Sequence, residues 1–232
     1  MGSFQNITSS DGFVLPAYVA QPAGAAKGAI VVLQEIFGLN SHIQAVTDGY
    51  AAQGYLAVAP STFHRIKADV NLSYTPEDIQ AGIALKAAAE AVLPLVMQDV
   101  QAAVDFATNQ LPAGKKVGVV GYCWGGLLAW RAAALVNGIS ATVPYYGGGM
   151  TVGVEPTRQP KVPAMVHFGD QDTGIPMDTV NAFIAAQPKV DVQIYAANHG
   201  FNCDHRGSYN QAAAELALSR TLTFFATNLI AI

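Results

Sequence analysis

The stretch "KVGVVGYCWGGLLAWRAAALV", residues 116–136, leaves this chain few ways to fold. An apolar run of strand length meets a corner framed by Gly121, Gly125 and Gly126, and a helical pattern follows at once. Glycine is suited to such a corner because the backbone can approach its neighbours where a Cβ would clash. A strand that turns directly into a helix belongs to a sheet covered by helices. The rest of the chain repeats the alternation. "AIVVLQE", "YLAVAP", "ATVPYYG", "PAMVHFG" and "VQIYA" read as strands, several of them apolar on consecutive positions, as a parallel sheet buried on both faces requires. Between them, Ser41 precedes the helical pattern "HIQAVTDGYAAQG", and Thr75 precedes Pro76, Glu77 and Asp78, an N-cap followed by a first-turn proline and early acids. Asp178 is placed to cap "TVNAFIAAQ", and Ser208 to open a closing helix through "YNQAAAELALSRTLTFFATNL". The expected architecture is α/β: a doubly wound, mostly parallel sheet with helices on both faces, in one domain over residues 1–232. Functional groups on such a sheet belong at the carboxyl ends of its strands. Residues 61–74, "STFHRIKADVNLSY", read as an irregular connection and a candidate pocket wall.

Composition narrows the partner. Apolar residues make up 51% and charged residues only 12%, which argues against disorder. The net charge of -4 comes without any block of like charge, so no footprint for nucleic acid or an anionic membrane is present, and a small molecule is the expected partner. The start "MGSFQNITSS" has no charged leader before an apolar core, and no apolar run is long enough to span a membrane. A cytoplasmic protein acting as a monomer is expected. The two cysteines, Cys123 and Cys203, read as free thiols. No zinc motif occurs, and His199, Cys203 and His205 are too loosely spaced to suggest one, so no metal is expected.

Gly-x-Cys-x-Gly-Gly between strand and helix is the setting in which a nucleophile is presented at a sharp turn. The helix beginning near Trp124 aims free N–H groups at Cys123 and favours its thiolate. The plain alternative is a small buried cysteine filling a tight turn. A nucleophile needs a base and the base an orienting acid, in the chain order nucleophile, acid, histidine. "VHFGDQDTGIP" ends one strand with Asp170 and Asp172, and "VQIYAANHGF" ends the next with His199. The spacings leave room for two αβ crossovers and then one. Asp172 is preferred because it lies inside the turn toward Ile175 and Pro176, whereas Asp170 directly follows the strand. Either aspartate can instead be an ordinary turn residue. The oxyanion donors assigned are the amides of Trp124 and of Ile36, which follows the strand ending at Gln34-Glu35. A carboxylate such as Glu35 at the end of a buried strand needs a partner, in a structural ion pair or as a catalytic group.

Taken together, "QEIFGLN", "GYCWGG" and "ANHGF" resemble the dienelactone hydrolase (carboxymethylenebutenolidase) family, a cysteine branch of the α/β-hydrolase fold, over nearly the whole chain. The resemblance implies a Cys-His-Asp triad at Cys123, His199 and Asp172, with Glu35 holding the resting thiol and helping to deprotonate it when substrate arrives. It implies hydrolysis of a small lactone or ester through a thioester, without a cofactor. Family members also grip a substrate carboxylate with two arginines. Here the upstream helix "PEDIQAGIALKAAAEAVLPL" has none, leaving Lys86 as the substitute, while Arg206 after His199 matches the second. Phe37 and Tyr145 are the aromatic candidates chosen to line the substrate site, among Phe63, Trp124, Tyr146 and Phe201, and His64 and Arg65 are placed to meet an acidic substrate. A general carboxylesterase or thioesterase with the same groups, and a non-catalytic binding protein on the same fold, remain as alternatives.

Overall fold

The computed structural model of the chain describes residues 1–230. Strands β1 (Ser3–Thr8), β2 (Val14–Ala20), β3 (Ala29–Leu33), β4 (Leu56–Pro60), β5 (Val117–Tyr122), β6 (Ile139–Tyr145), β7 (Met165–Gly169) and β8 (Asp191–Tyr195) form one sheet in the order β1-β2-β4-β3-β5-β6-β7-β8. From β4 to β8 every pairing is parallel, and β1 and β2 add an antiparallel edge. β3, β4 and β5 are buried along their whole length, which explains their unbroken apolar runs.

Helices α1 (Ser41–Ala52) and α6 (Gln211–Leu229) cover one face, Tyr50 of α1 meeting Phe225 of α6 edge-on. Helices α3 (Leu93–Gln110), α4 (Trp124–Leu135) and α5 (Met177–Ala186) cover the other. Helix α2 (Pro76–Ala91) lies across the carboxyl end of the sheet, its Gly82 packed against the Ile36 carbonyl. This mixed, mostly parallel sheet between helices is the α/β-hydrolase fold. No single helix among the described residues is long and apolar enough to cross a membrane.

Several local expectations change. Thr75 caps α2, accepting the Asp78 N–H at 3.2 Å. Asn40, not Ser41, caps α1, and α6 begins at Gln211 under an Asn210 cap rather than at Ser208. Asp178 is already inside α5 and accepts only the Thr179 N–H. The helix expected through Leu95 ends at Ala91, and α3 leaves at 93° to it with Pro94 in its first turn, where a missing N–H costs no hydrogen bond.

The connection 61–74 is tied down by charge. Arg65 binds Asp99 of α3 through Nε and Nη2, both at 2.8 Å, and Asp11 through Nη1 and Nη2, with its guanidinium over the Phe13 ring. Asp99 is fully buried and also accepts from Ser9. Arg65 is therefore a clamp and not a substrate contact, and His64 beside it packs on Phe13. Arg65→Ala leaves the Asp99 carboxylate buried without its cation, so urea denaturation should show a loss of about 3–5 kcal/mol.

Candidate active site

Cys123 stands at the turn from β5 into α4 with φ 56° and ψ -118°, a conformation rare for residues with a side chain and found where surrounding structure enforces it. The enforcement is visible. Its N–H donates to the Tyr145 carbonyl at 3.1 Å, and its carbonyl accepts from the Gly126 and Leu127 N–H groups. A Cβ at Gly121 would fall 1.9 Å from the Gly125 carbonyl oxygen, and one at Gly125 would fall 2.2 Å from the Leu33 oxygen. The corner is thus pressed against the end of β3, from which Glu35 and Ile36 follow. Neither the Ile36 nor the Trp124 N–H has a backbone acceptor among the described residues. The two amides assigned as oxyanion donors sit on these adjoining segments.

Asp172 and His199 meet at the ends of β7 and β8. Asp172 Oδ2 lies 2.7 Å from His199 Nδ1, and its Oδ1 accepts the Gly174 N–H at 2.8 Å, so both oxygens are held in a buried turn. Asp170 is exposed. Burial works against charge on His199, but the adjacent Cys123 sulfur and Asp172 outweigh it and push its pKa up to about 10. With Nδ1 on Asp172, Nε2 is the nitrogen left to exchange a proton with Cys123.

Glu35 is fully buried, and each oxygen has a partner: Arg206 Nη1 donates to Oε1 at 3.1 Å, and the Tyr74 hydroxyl donates to Oε2 at 3.0 Å. Burial and then Glu35 raise the Tyr74 pKa, keeping it a donor. Burial, and then Glu35, also push the Cys203 thiol up to about 12. The expectation that Glu35 holds the resting Cys123 thiol does not describe this arrangement, in which Cys123 faces His199 while Glu35 faces Arg206 and Tyr74.

The structure brings together Cys123, His199 and Asp172, with Glu35 and Arg206 alongside. Phe37 is buried behind them, packing on Tyr74 at 4.4 Å and lying under Arg206, so it supports the cation and presents no surface to substrate. Tyr145 is misplaced as a lining residue. It is fully buried, its hydroxyl pairs with Thr221 of α6 at 2.7 Å, and it packs on His167. The parity of β6 sends Tyr145 under α6, and the next residue takes the position at the site. Tyr146 has φ 36°, lies edge-on to His199 at 5.1 Å, and carries a buried hydroxyl with no partner among the described residues. Lys86 lies one turn beyond Gly82 on α2 and four residues before Glu90, whose carboxylate accepts the Trp124 indole N–H at 2.7 Å. That face of α2 runs from Ile36 to Trp124, and the Trp124 ring stacks on Phe63 at 4.7 Å. Tyr74 and Glu90 escape sequence reasoning because their roles come from contacts between distant segments.

A sharp strand-to-helix corner carrying a cysteine, an acid after β7, a histidine after β8 and an α/β-hydrolase sheet have the layout of an ester-hydrolase type of site. Comparison with known proteins agrees. The model of the dienelactone hydrolase family matches residues 15–229. The carboxymethylenebutenolidases of Pseudomonas putida and Pseudomonas knackmussii are each 34% identical over 226 residues, covering 95% of this chain and 94% of theirs. A solved structure of a dienelactone hydrolase-like promiscuous phosphotriesterase from metagenomic libraries superposes with TM-score 0.76 at 22% identity, covering 98% of this chain and 99% of that one, a likeness of fold. The chain belongs to the dienelactone hydrolase family, and with that membership it is a carboxylic ester hydrolase.

His199 gives a pH test. Its folded pKa lies above the ordinary value of 6.5, so the stabilisation from this pairing is complete below about 6.5 and lost as pH rises through about 10. NMR titration should find the imidazole protonated at neutral pH, and Cys123→Ala or Asp172→Asn should each lower its midpoint.

Proposed function

We propose that this enzyme hydrolyses a small lactone or ester through a thioester on Cys123, with His199 as acid and base, Asp172 orienting it, and the Ile36 and Trp124 amides receiving the oxyanion. The observation that carries this is the 2.7 Å Asp172–His199 contact beside a cysteine held at positive φ. In the resting site His199 carries a proton: against the effect of burial, the neighbouring Cys123 sulfur and Asp172 raise its pKa to about 10. The Cys123 thiolate adds to the carbonyl carbon, and the two amides take the negative charge that develops on its oxygen. Collapse expels the alkoxide, which takes the proton from His199 Nε2 and, for a lactone, stays tethered to the acyl chain. Water then gives a proton to His199 and attacks the thioester, and departure of the thiolate restores the resting pair. The chemistry uses only this chain's groups.

The cation supply bears on substrate. Arg206 is already engaged by Glu35, and α2 carries no arginine, Lys86 being its one cation. An acidic lactone would compete with Glu35 for Arg206, its carboxylate taking the place of the Glu35 oxygen on the guanidinium. A neutral ester has no such lever, and the single engaged arginine supports this second reading, a general carboxylesterase.

Two measurements decide. Cys123→Ala should abolish turnover, and Asp172→Asn should lower kcat by about 10²–10⁴-fold, the usual worth of a positioned base. Unchanged hydrolysis in Cys123→Ala would overturn the mechanism. If cis- or trans-dienelactone is hydrolysed no faster than simple aryl esters, the acidic-lactone reading fails and the carboxylesterase reading stands.

A further inference from the structure

Behind the proposed catalytic groups lies a second cluster that this reading does not use fully. Ligand atoms of Glu35, His42 and Cys203, all three buried, lie within 4.8 Å of one another. His42 is 3% exposed; Asp204 takes its Nδ1 at 3.3 Å, and its buried Nε2 has no hydrogen-bond partner among the described residues. A carboxylate on one imidazole nitrogen with the other free is the arrangement that orients a histidine toward a metal. Cys203 is fully buried. A cleft of about 390 Å³ between α1 and α6, lined by His42, Asn202, Asp204 and Tyr209 among others, reaches the His42 corner of the cluster.

We infer that Glu35, His42 Nε2 and Cys203 Sγ form a site for a borderline-soft divalent cation of the zinc type, completed by water. One thiolate, one imidazole and one carboxylate match such ions, whereas calcium and magnesium prefer oxygen ligands throughout. Zinc bonds of about 2.0–2.3 Å require the three side chains to draw inward. Binding replaces the proton of the Cys203 thiol, which leaves to water. Arg206 on Glu35 opposes a second positive charge, so occupancy draws Glu35 away from the guanidinium.

Cobalt(II) is the probe, because its thiolate charge-transfer and ligand-field bands report the ligands without any assay of turnover. Reduced full-length protein and Cys123→Ala should each bind one Co²⁺ per chain with a thiolate band. Cys203→Ala should lose that band, His42→Gln should lose it or need far more Co²⁺, and Asp204→Ala should bind about 10–100-fold more weakly. No thiolate band in Cys123→Ala at saturating Co²⁺, or an unchanged titration in His42→Gln, overturns the site even if Cys203→Ala fails to fold. A band without any hydrolase activity would sink the function proposed above while leaving the metal site intact.

Discussion

The corner at Cys123 depends on backbone meeting backbone. Gly125 packs on the carbonyls of Leu33 and Gln34, Gly121 packs on Gly125, and the Cys123 N–H is fixed to the Tyr145 carbonyl. Three neighbouring strand ends, those of β3, β5 and β6, are thereby locked to the start of one helix. The lock holds a cysteine at φ 56°, a conformation it would not keep alone, and keeps the amides of Ile36 and Trp124 on adjoining segments. A methyl group at Gly125 would have to displace main chain, since the atoms it meets are carbonyl oxygens and not flexible side chains.

From that corner the electrostatics follow in two branches. One runs from Cys123 through His199 to Asp172, where a buried carboxylate and the sulfur together keep a proton on the imidazole. The other runs from Glu35 to Arg206 and Tyr74, with Phe37 and Tyr74 beneath the guanidinium. Both branches start at strand ends of one sheet. Tyr146 lies beside the first with an unpartnered hydroxyl, and Glu35 also reaches toward His42 and Cys203. The buried Glu35 thus stands between the Arg206 guanidinium, the Tyr74 hydroxyl and the Cys203 thiol.

What could be read from the sequence was whatever is written locally. The elbow, the strand ends carrying Glu35, Asp172 and His199, and the Thr75 cap all depend on short patterns, and the structure places each where those patterns put it. The edge strands β1 and β2 escaped, since β1 is mostly exposed and β2 carries Pro16, which weakens a strand reading. The break at Val92 and helix α3 escaped because an alanine-rich pattern runs on through it. Tyr145 and Tyr146 are adjacent at the end of a strand, where the pleat and not the residue type decides which face each ring takes. The Glu35–Arg206 pair spans 171 positions, and no local signal predicts it.

The central claim is a covalent acyl group on Cys123. It is tested most directly by acid-quenching the enzyme during turnover of an activated ester and locating the acyl mass by peptide mass spectrometry. The account predicts an acyl increment on the peptide carrying Cys123, removed by neutral hydroxylamine as a thioester should be. An increment on another residue, or none under conditions where Asp172→Asn slows deacylation, would contradict it.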